Sequence, residues 1–502
     1  VNGQSKKIKR YSNDWKKSGP EKTWNSTDHE YFYKWRNDLM DRRSKLNDQI
    51  LRRQKAILNG NKITTEIWNY GSISSPGNRV TDIVWEGLGY GYEFGPFIGA
   101  IVPVPAGSHQ DAFQKVDSNG NPVLDDDGNP IWLARVISDG LVSLGGEISP
   151  DGKTFYGWEP LAFNEQGVPY GDPNSPRIPT SNDVDRSGDG KPDSWPEGWY
   201  NPNLKRYVWP GALRQGSSNS DLESFFVVDD RSNKEFKYYP FSDDSTRMGL
   251  GIEIECRYYQ WSNPLAEDVI FLIYKVTNKS EKDLNDVIFG MWGDPHIGGP
   301  SNWQDDLSYF DRDLNMVYAW DEDNRSDVAG RDPGYFGYIF LESPGNPYDQ
   351  KDNDGDGIID ESRNNGIDDD GDWDVSKHDV GVDGIPNTGD FGENDGLPTA
   401  GNAFDIRQPG EPNFEWTDLD ESDMIGLTSF AAPNFGGNNR ISKDDFIYTS
   451  YMNPGEFDSL NSDVAGDNIF LYGSGRFTLK AGEARRFSIA LLVGDSYDDL
   501  TL

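Results

Sequence analysis

A single cysteine, Cys256, occurs in 502 residues, so no disulfide can form within the chain. If the protein works outside the cell, some other clamp must replace disulfides, and a bound metal is one option. Histidine is nearly as scarce. His29, His109, His296 and His378 stand far apart and share no ligand spacing, so a zinc site is not expected. No apolar run reaches the length of a membrane-spanning helix. There is no His-Glu-x-x-His, no Gly-x-Ser-x-Gly and no phosphate loop ending in Gly-Lys-Ser/Thr. "GLGYGYEFG" (Gly87 to Gly95) is glycine-rich, but no helix pattern follows it, so it reads as close-packed strand or turn. Positive charge is also short: 47 Lys and Arg face 85 Asp and Glu, a net of −38. That balance disfavours nucleic acid and anionic membrane as partners.

Aromatic residues are plentiful at 13%, with 16 Trp, which supports real cores against a modest 35% hydrophobic content. Gly and Pro number 55 and 30, a level that suits a loop-rich β protein. Charge is unevenly spread. Residues 1–60 carry 15 basic and 7 acidic side chains, a net of +8, which leaves −46 on the remainder. Within this arm "TDHE" (Thr27 to Glu30) has capping-box spacing, and Phe32, Trp35, Leu39, Leu46, Ile50 and Ile57 follow at helical period. An amphipathic helix is expected from about 28 to 59, stopped by Gly60. It would pack on its own body or on the acidic body of a second copy. The chain begins at Val1 without an apolar leader, so a mature form stripped of its signal segment, or an internal fragment, is expected.

From Gly60 onward the patterns are those of strands. "GIEIECRYY" alternates Ile252, Ile254, Cys256 and Tyr258 with Glu253, Glu255 and Arg257, a half-buried strand with Cys256 as a small core residue. "DVIFLIYKVTNKSEKDLNDVIFGMW" reads as two strands joined by a polar turn. "KITTEIWNYG", "TDIVWEG", "YFGYIFL", "DFIYTSYM", "NIFLYG", "GRFTLK" and "RRFSIALLVG" continue in kind. Strands without intervening helices predict a mainly β protein of antiparallel β-sandwich type. The expected organisation is a basic arm (1–60), a β-rich region (61–240), sandwich strands (241–342), an acidic insert (343–415) and returning strands that complete the sandwich (416–502).

Two irregular stretches, about 160–203 and 343–415, are too long for ordinary loops. Both carry an Asp-Gly pattern. Calcium takes six to eight oxygens, often from side chains two residues apart. Asp352, Asp354 and Asp356, the Ile358 carbonyl and Asp360 fit those offsets, and Asp368, Asp370, Asp372 and Asp374 repeat them. Position 12 of an EF-hand would be Arg363 instead of Glu, so this is no EF-hand. The other stretch offers Asp183, Asp185, Ser187, Asp189, the Lys191 carbonyl and Asp193. From Asp349 to Asp395 there are 16 acidic residues against 3 basic. Calcium is therefore the expected cofactor. "VLDDDGNPIW" reads as an ordinary Asp-Gly turn. A further candidate follows "VIFGMW": Asp294, His296, Asp305, Asp306 and Asp311 converge if their loop folds back, with His296 expected as a hydrogen-bonding loop residue.

The Asp-x-Asp-x-Asp-Gly-x-x-Asp loops resemble thrombospondin type 3 repeats and related bacterial calcium loops. "YQWSNPLAEDVIFLIYKVTN", "YFGYIFLESPGNP", "GIDDDGDWD" and "FSIALLVGDSYDDL" resemble large uncharacterised bacterial secreted proteins, often associated with type IX secretion. That resemblance implies an extracellular or cell-surface location and no particular activity. The expectation is a calcium-stabilised structural or interaction protein, self-assembling through the basic arm. The alternative is a secreted carbohydrate-binding protein or glycoside hydrolase that uses surface glycans. With 85 carboxylates, a candidate acid pair can be found anywhere, so the sequence does not choose a catalytic one. A passive passenger domain of a longer secreted protein is the third reading.

Overall fold

The computed structural model describes residues 52–74, 83–140, 149–150, 154–164, 167–172, 174–211, 217–311, 314–342, 368, 371, 373–401, 407–414, 427–434, 443–458 and 465–502. Two large sheets dominate it. One has eight strands in the order β15 (Asp306–Asp311), β16 (Met316–Asp321), β17 (Tyr335–Glu342), β21 (Ala484–Gly494), β13 (Val269–Asn278), β12 (Ile252–Gln260), β11 (Leu222–Asp229) and β8 (Glu159–Pro160). The other runs β18 (Leu427–Ala431), β19 (Phe470–Ser474), β14 (Leu284–Pro295), β5 (Gly91–Pro103), β7 (Trp132–Asp139) and β6 (Phe113–Gln114), with β20 (Phe477–Leu479) also on β14. A small sheet, β1 (Lys55–Leu58), β2 (Ile63–Trp68), β3 (Val84–Trp85) and β4 (Leu88–Gly89), and a ribbon of β9 (Tyr200–Asn201) with β10 (Arg206–Tyr207) complete the strands. The ladders between these strands are antiparallel. The fold is a mainly β, antiparallel sandwich.

Period-2 alternation explains which side faces in. On β12, Ile252, Ile254, Cys256 and Tyr258 point inward, and on β13 Ile270, Leu272, Tyr274 and Val276 do the same. Aromatic rings then bridge the two sheets. Phe289 of β14 stacks on Phe487 of β21 at 3.9 Å and reaches Tyr274 at 5.6 Å. Phe94 of β5 meets Phe336 and Tyr338 of β17 at 5.1 and 5.5 Å. Strands β13 and β14 are joined by the polar turn read from sequence, but they lie in different sheets, so that turn is an arch across the sandwich. The returning strands enter near the middle: β21 lies between β17 and β13, and β19 beside β14.

Both outer faces are partly covered. Trp195 and Trp199 of the first irregular stretch, with Trp209 just beyond it, cluster at 5.4–5.7 Å and pack on Phe225 and Val227 of β11. The stretch after Pro160 is therefore organised by an aromatic cluster. On the opposite face Ile447, Tyr448 and Met452 cover Phe97, Ile137, Ile288 and Trp292.

Two expectations fail here. "DFIYTSYM" is helical instead of a strand: Asp444–Phe446 is an α turn that continues as a π turn over Ile447–Tyr451. Asp444 Oδ2 accepts from the Ile137 N–H at 2.8 Å, and Asp445 pairs with Arg135 at 2.7 Å, which pins the turn against β7. The run places apolar residues on one side by either period, and the sheet face it must cover selects the helical one. The arm helix lies mostly outside the described residues, but its expected last turn, Lys55–Leu58, is strand β1. Ala56 and Leu58 are buried there, and Lys55 pairs with Glu66 across the ladder at 2.5 Å. Gly60 is the turn between β1 and β2, where a Cβ would come within 2.7 Å of the Leu222 Cβ.

The packing makes a direct prediction. Phe289→Ala opens a cavity at the centre of the sandwich and should cost about 3–5 kcal/mol in urea unfolding with an unchanged m-value. A loss below about 1 kcal/mol would show that the stack does not hold the sheets together.

Candidate metal centre

One rim of the sandwich collects carboxylates from several strand ends. Strand β14 ends at Asp294 and Pro295, and the chain then turns back through two positive-φ glycines, Gly298 (φ 92°) and Gly299 (φ 119°). At Gly298 a Cβ would sit 2.7 Å from the Arg325 carbonyl, so glycine is required by space as well as by φ. The returning chain enters β15 at Asp306, and the Ile297 N–H donates to Asp306 Oδ2 at 3.2 Å. The loop thus folds back and brings Asp294, His296, Asp305 and Asp306 to one rim, whereas Asp311 lies at the far end of β15, opposite Met316, and does not join them. Strand β16 brings Asp321 directly opposite Asp306 in the ladder. On a third side Gly466 N–H and Asn468 Nδ2 donate to the Asp306 carbonyl at 3.1 and 2.8 Å, which places Asp467 at the same rim.

Two groups result. The ligand oxygens of Asp305, Asp321 and Asp323 lie within 4.8 Å of one another, and so do the ligand atoms of Asp294, His296 and Asp467. Asp306, next to Asp305 in the chain, is fully buried and has no hydrogen-bond partner on Oδ1 among the described residues. Burial pushes the Asp306 carboxyl well above the usual carboxylate range, and the charges of Asp321, Asp305 and Asp294 add to that. Burial also drives Asp321 up to about 6, helped by Asp305 and Asp323. Asp305 is raised by burial and then by Asp323. The first group is orientated by its neighbours. Asn302 Nδ2 donates to Asp321 Oδ2 at 2.8 Å, the Arg325 N–H donates to Asp321 Oδ1 at 2.9 Å, and the Glu322 N–H donates to the Asp305 carbonyl at 3.1 Å. The nearby cation Arg325 pairs with Asp323 at 3.1 Å from the solvent side. The rim is thus an electrostatically unfavourable arrangement that a divalent cation would relieve. Three carboxylates form an all-oxygen donor set that suits a hard cation, with the Asn302 amide turned to donate to Asp321.

The other sequence candidates fall differently. Asp183, Asp185, Asp189 and Asp193 do not gather around one point. Asp185 accepts the N–H groups of Gly188, Asp189 and Gly190 at 2.6, 3.2 and 2.8 Å, with Ser187 Oγ at 3.2 Å. The Gly190 N–H contributes most to holding its carboxyl below the usual range. Arg177 spans Asp183 and Asp193 at 3.2 and 2.9 Å. The Lys191 ammonium pairs with Asp172 at 2.8 Å. In the acidic insert, Asp352, Asp354, Asp356, Ile358, Asp360, Asp370 and Asp372 lie outside the described residues. Asp368 accepts from the Gly371 and Trp373 N–H groups at 2.9 and 3.1 Å. Asp374 caps the turn Val375–His378 through the Ser376 N–H at 3.0 Å.

Sequence reasoning missed Asp321, Asp323 and Asp467. The first two carry a readable signal, since "WDEDN" has the same two-residue offset as the recognised loops. Asp467 carries none, because it reaches Asp306 only through the bridge at Gly466. No protein-family model matches the chain, and no curated protein matches it in sequence.

The raised carboxylates fix a sign. Asp321 titrates near 3.8 when unfolded and about 6 when folded, so its contribution to stability is full below about pH 4 and is lost as pH rises through about 6. In chelator, stability should therefore fall over that window, and Asp321→Asn should flatten the fall and raise the melting temperature at pH 7.5. With millimolar calcium the same variant should melt below the parent. Equal effects with and without calcium would remove the centre from consideration.

Proposed function

We propose that this chain is an extracellular or cell-surface β-sandwich protein, stabilised by calcium, with a structural or interaction role. The observation that carries this reading is the convergence of Asp305, Asp321 and Asp323 within 4.8 Å at the rim, beside the buried Asp306. Asp305, Asp321 and Asp323 would hold the ion, which supplies the charge neutralisation that the site lacks. The chain's own residues do the rest. Asn302 and the Arg325 N–H hold Asp321, and the β15–β16 ladder holds Asp321 opposite Asp306. A pinned rim would lock the 296–305 and 322–331 loops together, in the role that disulfides take elsewhere. The resemblance to bacterial secreted proteins supports the location. The +8 arm and the −46 body support assembly between copies, the arm of one meeting the body of the next. No helix among the described residues is long and apolar enough to cross a membrane.

The test is a thermal melt with millimolar calcium and with chelator, with light scattering at low and high salt. Calcium should raise the midpoint, and high salt should reduce the particle size. An unchanged midpoint would defeat the calcium reading, and a monomer in every condition would defeat assembly.

A second reading rests on a separate observation. The outer face of the eight-stranded sheet holds a groove of about 430 Å³, lined by Tyr259, Trp261, Phe271, Arg257, Lys275 and Arg486 among others. Tyr259 and Trp261 lie near-parallel, 5.8 Å apart and 17° between planes, and offer aromatic surface of the kind on which sugar faces stack. The carboxylates in the groove, Glu223 and Glu255, are both held by Arg257, at 2.6 and 2.7 Å. Neither is a free acid or base, so the groove suits binding better than hydrolysis. Retention on insoluble polysaccharides that Trp261→Ala abolishes is the expected outcome. Equal elution of both proteins would dismiss this reading.

A further inference from the structure

We propose that Asp294, His296 and Asp467 form a second metal position, one that takes a borderline divalent transition ion of the zinc type instead of calcium. The three residues come from the end of β14, the loop after it and the segment before β19, and their ligand atoms lie within 4.8 Å of one another. This position is separate from the all-oxygen group of Asp305, Asp321 and Asp323 and does not depend on the calcium reading.

The spacing is that of ligands, not of a hydrogen bond. His296 Nε2 lies 3.6 Å from Asp294 Oδ1. A hydrogen bond between such groups spans about 2.7–3.2 Å. Two donors on a tetrahedral ion, each about 2.0–2.1 Å from the metal, lie about 3.3–3.4 Å apart. The pair needs only a small closure to become two ligands of one ion. The donor set sets the class of metal. Calcium takes oxygen donors, whereas one imidazole with two carboxylates is a zinc-type set.

The imidazole is held for the task. Its ring stacks on Tyr92 at 4.7 Å and lies near-parallel to Trp303 at 6.2 Å, which restrains the ring. The His296 N–H donates to the Tyr90 carbonyl at 3.2 Å, which fixes the backbone. A rotamer locked by aromatic packing is what an ion-binding histidine needs. An independent observation points the same way. Asp306 is wholly buried, its Oδ2 takes the N–H of Ile297, and its Oδ1 has no hydrogen-bond partner among the described residues. A buried carboxylate with an orphaned oxygen, bound to the N–H of the residue that follows His296, adds an uncompensated acid to this corner of the rim, which a bound cation would relieve. Three protein ligands would leave a four-coordinate ion one position for water or an outside ligand.

The test uses the full chain, stripped with chelator and titrated with Co²⁺ in a large excess of Ca²⁺. About one equivalent should bind with the intense visible absorption of a four-coordinate site, and Zn²⁺ should displace it. His296→Ala and Asp467→Asn should each weaken cobalt binding by more than about 100-fold, beyond the 10–100-fold that outer partners contribute. Circular dichroism checks the fold, and Asp467, half-exposed, is the safer of the two positions. Asp321→Asn, outside the proposed ligand set, should weaken cobalt binding less than either of these variants. Failure to retain cobalt against calcium would overturn the proposal, as would equal affinity in the parent and both variants. Cobalt binding in a protein whose melt ignores calcium would uphold it while the calcium reading fell.

Discussion

The sandwich depends on aromatic contact between its two sheets. Strand β21, set centrally in one sheet, meets β14 of the other through Phe487 and Phe289 at 3.9 Å. Large rings bury more apolar area per residue than aliphatic side chains, which lets a chain with only 35% hydrophobic residues close a core across eight- and seven-stranded sheets. Close approach is part of the same device. A Cβ at Gly290 would lie 2.1 Å from a Phe97 ring carbon and one at Gly293 would lie 2.3 Å from Phe470, so the rings fold over bare backbone.

That core decides where charge can gather. Strands β14, β15 and β16 and the approach to β19 reach the same rim, because their pairings and the loop between β14 and β15 bring them there. Acidic residues at those strand ends meet as a consequence of the fold, although their mutual repulsion opposes it. The stabilisation of the core must exceed the cost of the rim, unless a cation removes that cost. Asp306 is the point of greatest tension, since it is interior on β15 and yet surrounded by carboxylates.

Much of the architecture was legible in the sequence because alternation is a local property. Ile252 to Tyr258 and the "RRFSIALLVG" strand declare their inner faces without help from the rest of the chain. The helical turn at Asp444–Tyr451 was not legible, because its period is ambiguous and most of the sheet face it covers, Phe97, Ile137, Ile288 and Trp292, comes from strands more than a hundred positions away. The rim was half legible. Asp294, His296, Asp305 and Asp306 lie within one short stretch, so a returning loop could be imagined for them. Asp321 needs the hairpin register and Asp467 needs a bridge across 160 positions, and neither can be read along the chain.

The same two-residue Asp spacing meets two different ends in this protein, and the difference is where positive charge comes from. In the stretch from Asp183 to Asp193, arginines 177 and 186 and the loop's own N–H groups take up the carboxylates, and the carboxyls of Asp185 and Asp193 are held below their ordinary range chiefly by those N–H groups. At the rim, Asp305, Asp306 and Asp321 are raised, chiefly by burial, and Arg325 reaches only the outermost carboxylate, Asp323. A motif that reads as one thing in sequence is therefore self-neutralised on an exposed loop and left short of charge at a buried strand end. Burial, more than spacing, decides how much a carboxylate cluster would gain from a cation.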